Sequence, residues 1–358
     1  MAGVSIPKIP SRLLTLDYLR GYFIVTIIVD HLSRWPSIFG VMSGHALLWV
    51  TAAEGFVIIS GLLIGYIRGF KNREQPLSVI SKKLLRRAGL LYVWSIISSF
   101  AYIAIIWYIS LKGGAPTPPF AMNDWLDVVI RTVTLQYTNV WVFFLTYYAI
   151  FLAASPLAVW LMRRGKAWLV VVISLALLAL GWQLGNQTLQ WQALFFIPSA
   201  VGFHLESIHA WWFSLTKSRR ISLTTTVWLL TASTIALSVI CTFYAASIQS
   251  FADSLNGLFA KDTISLYRLV MAFLWFTGFL LLFAALHKWI DKWLGWLLGL
   301  VGSHSLTAYI LHGLALCMIS LFTVSGSNLV VNSLLDIVAI MIVWSLLKMS
   351  FVRAVIPR

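Results

Sequence analysis

Residues 16–35 read LDYLRGYFIVTIIVDHLSRW. The stretch is long and apolar enough to cross a bilayer as one helix, since a hydrocarbon core of about 30 Å needs about 20 residues. Yet it carries Asp17, Arg20, Asp30, His31 and Arg34. An ionisable group at the bilayer centre costs about 2.5–3.5 kcal/mol on insertion scales, so each one needs a reason to be there. Arg20 and His31 are eleven residues apart, which brings them to within roughly 20° of the same helix face, separated by roughly 16 Å along the axis. Asp17 and Arg34 flank them at three-residue spacing, so each end of the stripe is a cluster of charge. Arg20 could also snorkel to the inner interface, with Asp30, His31 and Arg34 only marking the outer end.

The rest of the chain belongs with this segment. Of 358 residues, 60% are hydrophobic and 10% charged, and the mean hydropathy is +0.89. A water-soluble domain carries about 25% charged residues, so a soluble fold is excluded. Ten apolar runs are expected to span the membrane, at approximately 14–33, 46–67, 88–111, 139–162, 167–184, 193–213, 222–248, 266–286, 300–322 and 329–350. No alternating ten-residue pattern suggests a barrel, so the expected fold is an all-α, multi-pass membrane protein forming a single domain. The segment 193–213, interrupted by Pro198, His204, Glu206 and His209, is the least regular of the ten. Between the third and fourth runs, residues 112–138 combine Gly113, Gly114, Pro116, Pro118 and Pro119 with an amphipathic stretch from Asp124 to Tyr137, read as an interfacial or re-entrant helix.

The net charge of +15 would suggest a nucleic-acid partner in a soluble protein. Sorting the charges removes that reading. Lys and Arg are retained in cytoplasmic loops, and twenty of the 26 fall on one side of the ten-run alternation. They include Lys8, Arg12, the cluster Lys82, Lys83, Arg86 and Arg87, and Arg358. Only Arg34, Lys112, Arg131 and Lys261 fall on the other side, which places both termini in the cytoplasm. The first run, charged and without a small-residue cleavage pattern, is expected to remain as a span. Most of the eighteen Trp lie near run ends, as an interfacial belt requires. Cys241 and Cys317 sit in apolar stretches and read as core residues. The seven His are scattered without ligand spacing, so no metal is expected.

Asp30 is adjacent to His31 in a helix and cannot share its face, so a group from another span must orient the imidazole. Glu54, in TAAEGFVIISGLLIGY (51–66), is the candidate. A carboxylate on one ring nitrogen would leave the other as a general base; a purely structural polar contact is the other reading of Glu54. Gly61, Gly65 and Gly69 repeat at four-residue spacing, a ridge for close helix packing. Late in the chain, VGSHSLTAYILHG (301–313) groups Ser303, His304, Tyr309 and His312.

These segments together resemble the OpgC-type membrane acyltransferases of the wider acyltransferase 3 superfamily. The shared features are the LDYLRG start with an Arg, ten residues and then a His; the AEGFVIISG segment at 53–61; and the G-x-x-S-L-x-x-Y-x-x-H pattern at 302–312. Arg268, opening the eighth run, also resembles a family Arg. The sixth-run segment WQALFFIPSAVGFHLE (191–206) departs from the Asn-Pro…Trp-Gln pattern of glucan-modifying members.

The resemblance implies a cytoplasmic-membrane enzyme that moves an acyl group, acetyl or succinyl, from cytosolic acyl-CoA to a hydroxyl of a glycan outside. The residue reading and the resemblance together place His31, Glu54 and Asp30 in catalysis. Arg20, Asp17, Lys82, Lys83, Arg86 and Arg87 would hold the donor, and Arg34, Arg268, Ser303, His304, Tyr309 and His312 the substrate. Positive-inside bias alone also accounts for the four basic residues at 82–87. The competing class is a transporter or flippase, in which intramembrane charges line a pathway; paired broken helices at matching positions of two halves are not evident in the sequence.

Overall fold

Helix is the only regular structure among the described residues of the computed structural model, which are 13–111, 119–121, 123–139, 141–244, 249–260, 262–323 and 326–356. Lys8, Arg12, Lys112, Lys261, Arg358 and the Gly113 to Pro118 segment, all used in the sequence reading, lie outside them. In chain order the α-helices begin with α1 (Leu14–Leu32), α2 (Ile38–Ser43) and α3 (Ala52–Leu63), the last running on through a π-helical segment, Ile64–Lys71. Then follow α4 (Leu77–Leu111), α5 (Trp125–Val133), α6 (Phe143–Arg163), α7 (Ala167–Gln183), α8 (Gln187–Trp191), α9 (Ala193–Phe203) and α10 (Leu205–Ser214). The chain continues with α11 (Lys217–Phe243), α12 (Gln249–Leu258), α13 (Leu266–Ala285), α14 (His287–Ser303), α15 (Ser305–Phe322), α16 (Leu329–Lys348) and α17 (Ser350–Val355).

Six of these helical stretches are long and apolar enough to cross a membrane, and the pair interrupted at His304 would make a seventh. The protein is therefore membrane-embedded, and its outward-facing residues agree: Val172, Leu229, Val270 and Leu334, all within helices, are exposed. Such side chains are lipid-facing surface rather than defects of a soluble fold. Each of the ten expected runs overlaps helix among the described residues, but several fall short of a plain span for identifiable reasons. Helix α1 holds Asp17, Arg20 and Asp30 within its 19 residues. Helix α7 has 17 residues, slightly fewer than a perpendicular crossing needs. The run 193–213 is divided where His204 leaves helical dihedrals (φ −95, ψ 12), separating α9 from α10.

Several boundaries also move, among them the start of the seventh run, at Lys217 instead of 222. The second run begins at Ala52 instead of 46, because Gly44–Ala46 is a 3-10 turn with His45 at φ 51. The third begins eleven residues earlier, at Leu77 just after Pro76, since Lys, Arg and Leu are good helix formers and nothing interrupts them. The ninth is preceded by a helix of its own, α14, and the chain breaks at His304 (φ −120, ψ 34) before α15. The amphipathic stretch after Asp124 is helical as expected, over Trp125–Val133, with Arg131 Nε donating to Asp127 at 2.8 Å.

The described chain divides into two packed units, each with its own interior. One draws on Met1–Phe23, Ser43–Pro76 and Leu157–Ser303; the other on Ile24–Met42, Leu77–Pro156 and His304–Arg358.

In the first unit the glycine ridge is the main seam. A Cβ on Gly65 would sit 1.7 Å from the Ser199 carbonyl oxygen, and one on Gly61 2.0 Å from that of Phe195. Gly202 faces back in the same way on the Leu62 carbonyl. The backbones of α3 and α9 thus touch directly, the packing expected where lipid supplies no hydrophobic drive between helices. A second seam, unforeseen in the sequence, joins the start of α1 to α14, where Gly302 abuts the Asp17 carbonyl and Gly21 that of Leu298. Arg163 closes the far end of the π-helical segment by donating to the carbonyls of Arg68, Asn72 and Gln75 at 2.7–2.8 Å. Helix C-termini leave such carbonyls unpaired, and a cation suits them.

In the second unit α4 packs on α15 through Tyr102. Its hydroxyl donates to the Ile310 carbonyl at 2.6 Å, and its ring occupies the place a Cβ on Gly313 would take. Ser95 and Thr146 share a buried hydrogen bond of 2.6 Å between α4 and α6.

These seams predict an asymmetry among glycines. Gly65→Val should lower the melting temperature of the detergent-solubilised protein sharply, because the clash is with backbone. Gly89→Ala, in a helix with nothing within 4 Å, should hold or raise it by removing about 0.5–1 kcal/mol of glycine's helix penalty. A thermal melt of both variants decides the matter, and equal behaviour would contradict the seam.

Candidate functional site

His31 lies in the last turn of α1, half-buried. Within its unit its Nδ1 is 2.9 Å from Nε2 of His312, and the two rings lie 5.1 Å apart at 34°. His312 projects from α15 and is completely buried. Its other ring nitrogen, Nδ1, bonds the carbonyl oxygen of Tyr309 one turn earlier. Tyr309 itself is 2% exposed and its ring packs on the His312 imidazole at 5.0 Å. The Tyr102 bond to Ile310 and its fit against Gly313 hold this part of α15 in place.

Around this pair the end of α1 is tied to the later helices of the same unit. Arg34, 6% exposed, donates from Nη2 to the Thr323 hydroxyl at 2.9 Å and the Thr323 carbonyl at 3.2 Å. Ser37 donates to the carboxylate of Asp336, which is 1% exposed in α16. Ser333 Oγ accepts from the Ile38 backbone N–H at 2.9 Å, and Asn332 Nδ2 donates to the Pro36 carbonyl at 2.9 Å. Asp30 is buried and its backbone carbonyl accepts from Ser33 Oγ. The turn after His31 is therefore anchored on both sides, which fixes the direction of the imidazole.

Glu54 differs from expectation. It is fully buried in the first unit, where Oε1 accepts from Arg268 Nε at 2.7 Å and from Nη2, while Oε2 accepts from the Thr51 backbone N–H at 3.0 Å and the Thr51 hydroxyl at 2.6 Å. Arg268, 1% exposed, also donates to the Phe259 carbonyl at 2.7 Å. Both carboxylate oxygens are thus engaged in a helix cap and an ion pair, and the hydrogen bond that the sequence assigned from Glu54 to His31 is made by His312. The same corner is closed by Trp49, stacked on Phe259 at 4.3 Å and bonded to Asn256. Arg268, expected at the substrate, here bridges the starts of α13 and α3.

The remaining expected residues fall as follows. Arg20 is half-buried on α1 in the first unit, near the seam where the Asp17 carbonyl meets Gly302. Its neighbour Tyr18 donates to Asp291 of α14. Lys82, Lys83 and Arg86 are exposed on the first turns of α4 in the second unit, with Arg87 half-buried. Ser303 turns back to the Gly299 carbonyl at 2.7 Å, an intrahelical bond of the last turn of α14. His304, 8% exposed, is the residue at the helix break. The structure thus brings His31, His312 and Tyr309 together in one unit, and Glu54 with Arg268 in the other.

Tyr102, Thr323 and Asp336 are missed in the sequence reading. Asp336 had a signal, being a carboxylate in the tenth apolar run. The other two had none, since a Tyr within an apolar helix and a Thr just past the end of one are ordinary.

A family model described as OpgC protein matches residues 12–352. No curated protein and no solved structure matches the chain.

The Glu54 to Arg268 pair makes its own prediction. Removing one partner of a buried pair costs about 3–5 kcal/mol by leaving an uncompensated charge, whereas replacing both can be close to neutral. Glu54→Leu and Arg268→Leu should each destabilise the solubilised protein strongly, and the double variant should be more stable than either. Stability that simply adds across the two changes would show that they do not act as a pair.

Proposed function

The chain belongs to the OpgC protein family, and from that premise we propose that it is an integral-membrane acyltransferase of the glucan-modifying type. The donor is acyl-CoA from the cytosol, acetyl or succinyl, and the acceptor is a hydroxyl of a glycan on the far side of the membrane. The observation that carries the reading is the half-buried His31, held by His312 among anchored helices. An imidazole is costly at such a place unless it is used, and His is the side chain best suited to move a proton near neutral pH.

In the reaction, His31 takes the proton of the acceptor hydroxyl as that oxygen bonds to the acyl carbon. The thioester C–S bond breaks and CoA leaves as a thiolate, which takes up a proton. Passage of the acyl group through His31 itself is a two-step variant with the same balance. Arg20, eleven residues before His31 in the sequence, supplies positive charge for the phosphates of the donor, and in the second unit the exposed Lys82, Lys83 and Arg86 carry charge suited to the same role.

Ten spans with both termini cytoplasmic accord with this direction of transfer. Each of the ten apolar runs overlaps helix among the described residues, six helical stretches are long and apolar enough to span, and the basic residues of the sequence alternate as the orientation rule requires. The cytoplasmic membrane, where cytosolic acyl-CoA meets an outward glycan, is the membrane this chemistry needs.

Purified protein incubated with acetyl-CoA and with succinyl-CoA should bind one of them saturably and release CoA thiol. His31→Ala should abolish release while leaving donor binding, and Arg20→Ala should weaken donor binding more than acceptor binding. Silence with both donors, or normal turnover by His31→Ala, would overturn the reading.

A further inference from the structure

The two hydrogen bonds of His312 have a direction that follows from chemistry alone. A carbonyl oxygen can only accept, so the bond between His312 Nδ1 and the Tyr309 carbonyl requires a hydrogen on Nδ1. His312 is completely buried, where an unpaired imidazolium would be costly. Its neutral ring then has its lone pair on Nε2. That lone pair lies 2.9 Å from His31 Nδ1, so the hydrogen between the rings belongs to His31. A neutral His31 carrying its hydrogen on Nδ1 has its lone pair on Nε2, the nitrogen remote from His312.

We infer that His312 is a positioning residue that selects the Nδ1–H tautomer of His31 and so makes His31 Nε2 the basic nitrogen. The order of action runs from the Tyr309 carbonyl to His312 and from His312 to His31. This rests on the reading of His31 as the base, and it assigns His312 a different role from contact with substrate.

The arrangement does the work that a carboxylate does for a histidine base in other enzymes, but without a charge. When His31 takes a proton from the acceptor, it becomes a cation whose Nδ1–H still faces the His312 lone pair. The bond between the rings becomes charge-assisted and stronger, so it stabilises the protonated state more than the neutral one. A neutral partner also brings no charge that must be answered in turn, as Arg268 answers that of Glu54. Backbone supports the relay at its far end, since Tyr309 contributes its carbonyl and the Tyr102 hydroxyl fastens the next carbonyl, that of Ile310. Neither of these anchors can titrate near neutral pH or exchange with solvent ions.

The assignment is tested by substituting His312 with Gln and with Leu, and by nitrogen-15 spectra of histidine-labelled protein without substrate. In the wild type, His31 Nδ1 should give a pyrrole-type signal and Nε2 a pyridine-type signal. Gln can place an amide oxygen where Nε2 lies and accept the same hydrogen, so His312→Gln should keep that pattern and most of the turnover. His312→Leu should lose the preference for one tautomer and lose turnover by about 10²–10⁴-fold, the range of a general base, with the KM for the acyl donor unchanged. A wild-type His31 with its hydrogen on Nε2, or a Leu variant whose tautomer pattern is unaltered, would overturn the inference. Because the spectra need no reaction, a protein with the stated tautomer and no acyl transfer would fail the proposed function instead.

Discussion

Hydrocarbon offers no hydrogen-bond partner, so a polar or ionised side chain inside this protein is costly unless another group of the protein answers it. That constraint explains the most specific contacts in both units. Arg268 is answered by Glu54 and by the Phe259 carbonyl, and Glu54 in turn by Thr51. His31 is answered by His312, and His312 by the Tyr309 carbonyl. Arg34 meets Thr323, and Asp336 meets Ser37. The glycine seams serve the same end by a different route. Gly61, Gly65 and Gly202 let backbones touch, and from α7 a polar side chain reaches across instead, Ser174 to Gln192 at 2.8 Å.

The two chief polar centres differ in chemical character. The Glu54 and Arg268 pair is fully buried, salt-bridged, and closed by a cap and a stacked Trp–Phe pair. Nothing about it invites a reacting group, and it reads as a strut that fixes the starts of two helices. The His31 and His312 pair is joined ring nitrogen to ring nitrogen and is asymmetric in burial, His31 being half-buried and His312 fully buried. A group that must change protonation during a reaction belongs at the second kind of centre, because a locked ion pair resists losing either charge.

Much of this was legible in the sequence, for definite reasons. The spacing of Arg20 and His31 on one helix follows from helical periodicity, and α1 is found as a single helix. The Gly61, Gly65 and Gly69 ridge was readable because small residues at four-residue spacing have few other uses in a span. The partner of His31 was not readable. A carboxylate is the usual companion of a catalytic imidazole, and Glu54 stood in an apolar run close to α1 in sequence, whereas His312 is 281 residues away. No periodicity links positions so distant. Helix α14 was hidden for another reason: its Lys288, Asp291 and Lys292 punctuate the chain like a loop, while its exposed Trp289, Trp293 and Trp296 share one face of an amphipathic helix. The basic start of α4 likewise punctuates the sequence like a loop, although Lys and Arg favour helix and Pro76 sets its beginning.

The central claim is that the buried histidine centre serves group transfer across the membrane and not passage of a solute. Proteoliposomes loaded with a glucan oligosaccharide, and supplied on the outside only with acyl-CoA labelled in its acyl group, put that claim to the test. The account predicts label covalently attached to the enclosed glycan, dependent on His31 and on molecules oriented with their basic loops toward the donor. Unlabelled glycan that escapes from the vesicles without any donor would contradict it and make the chain a transporter.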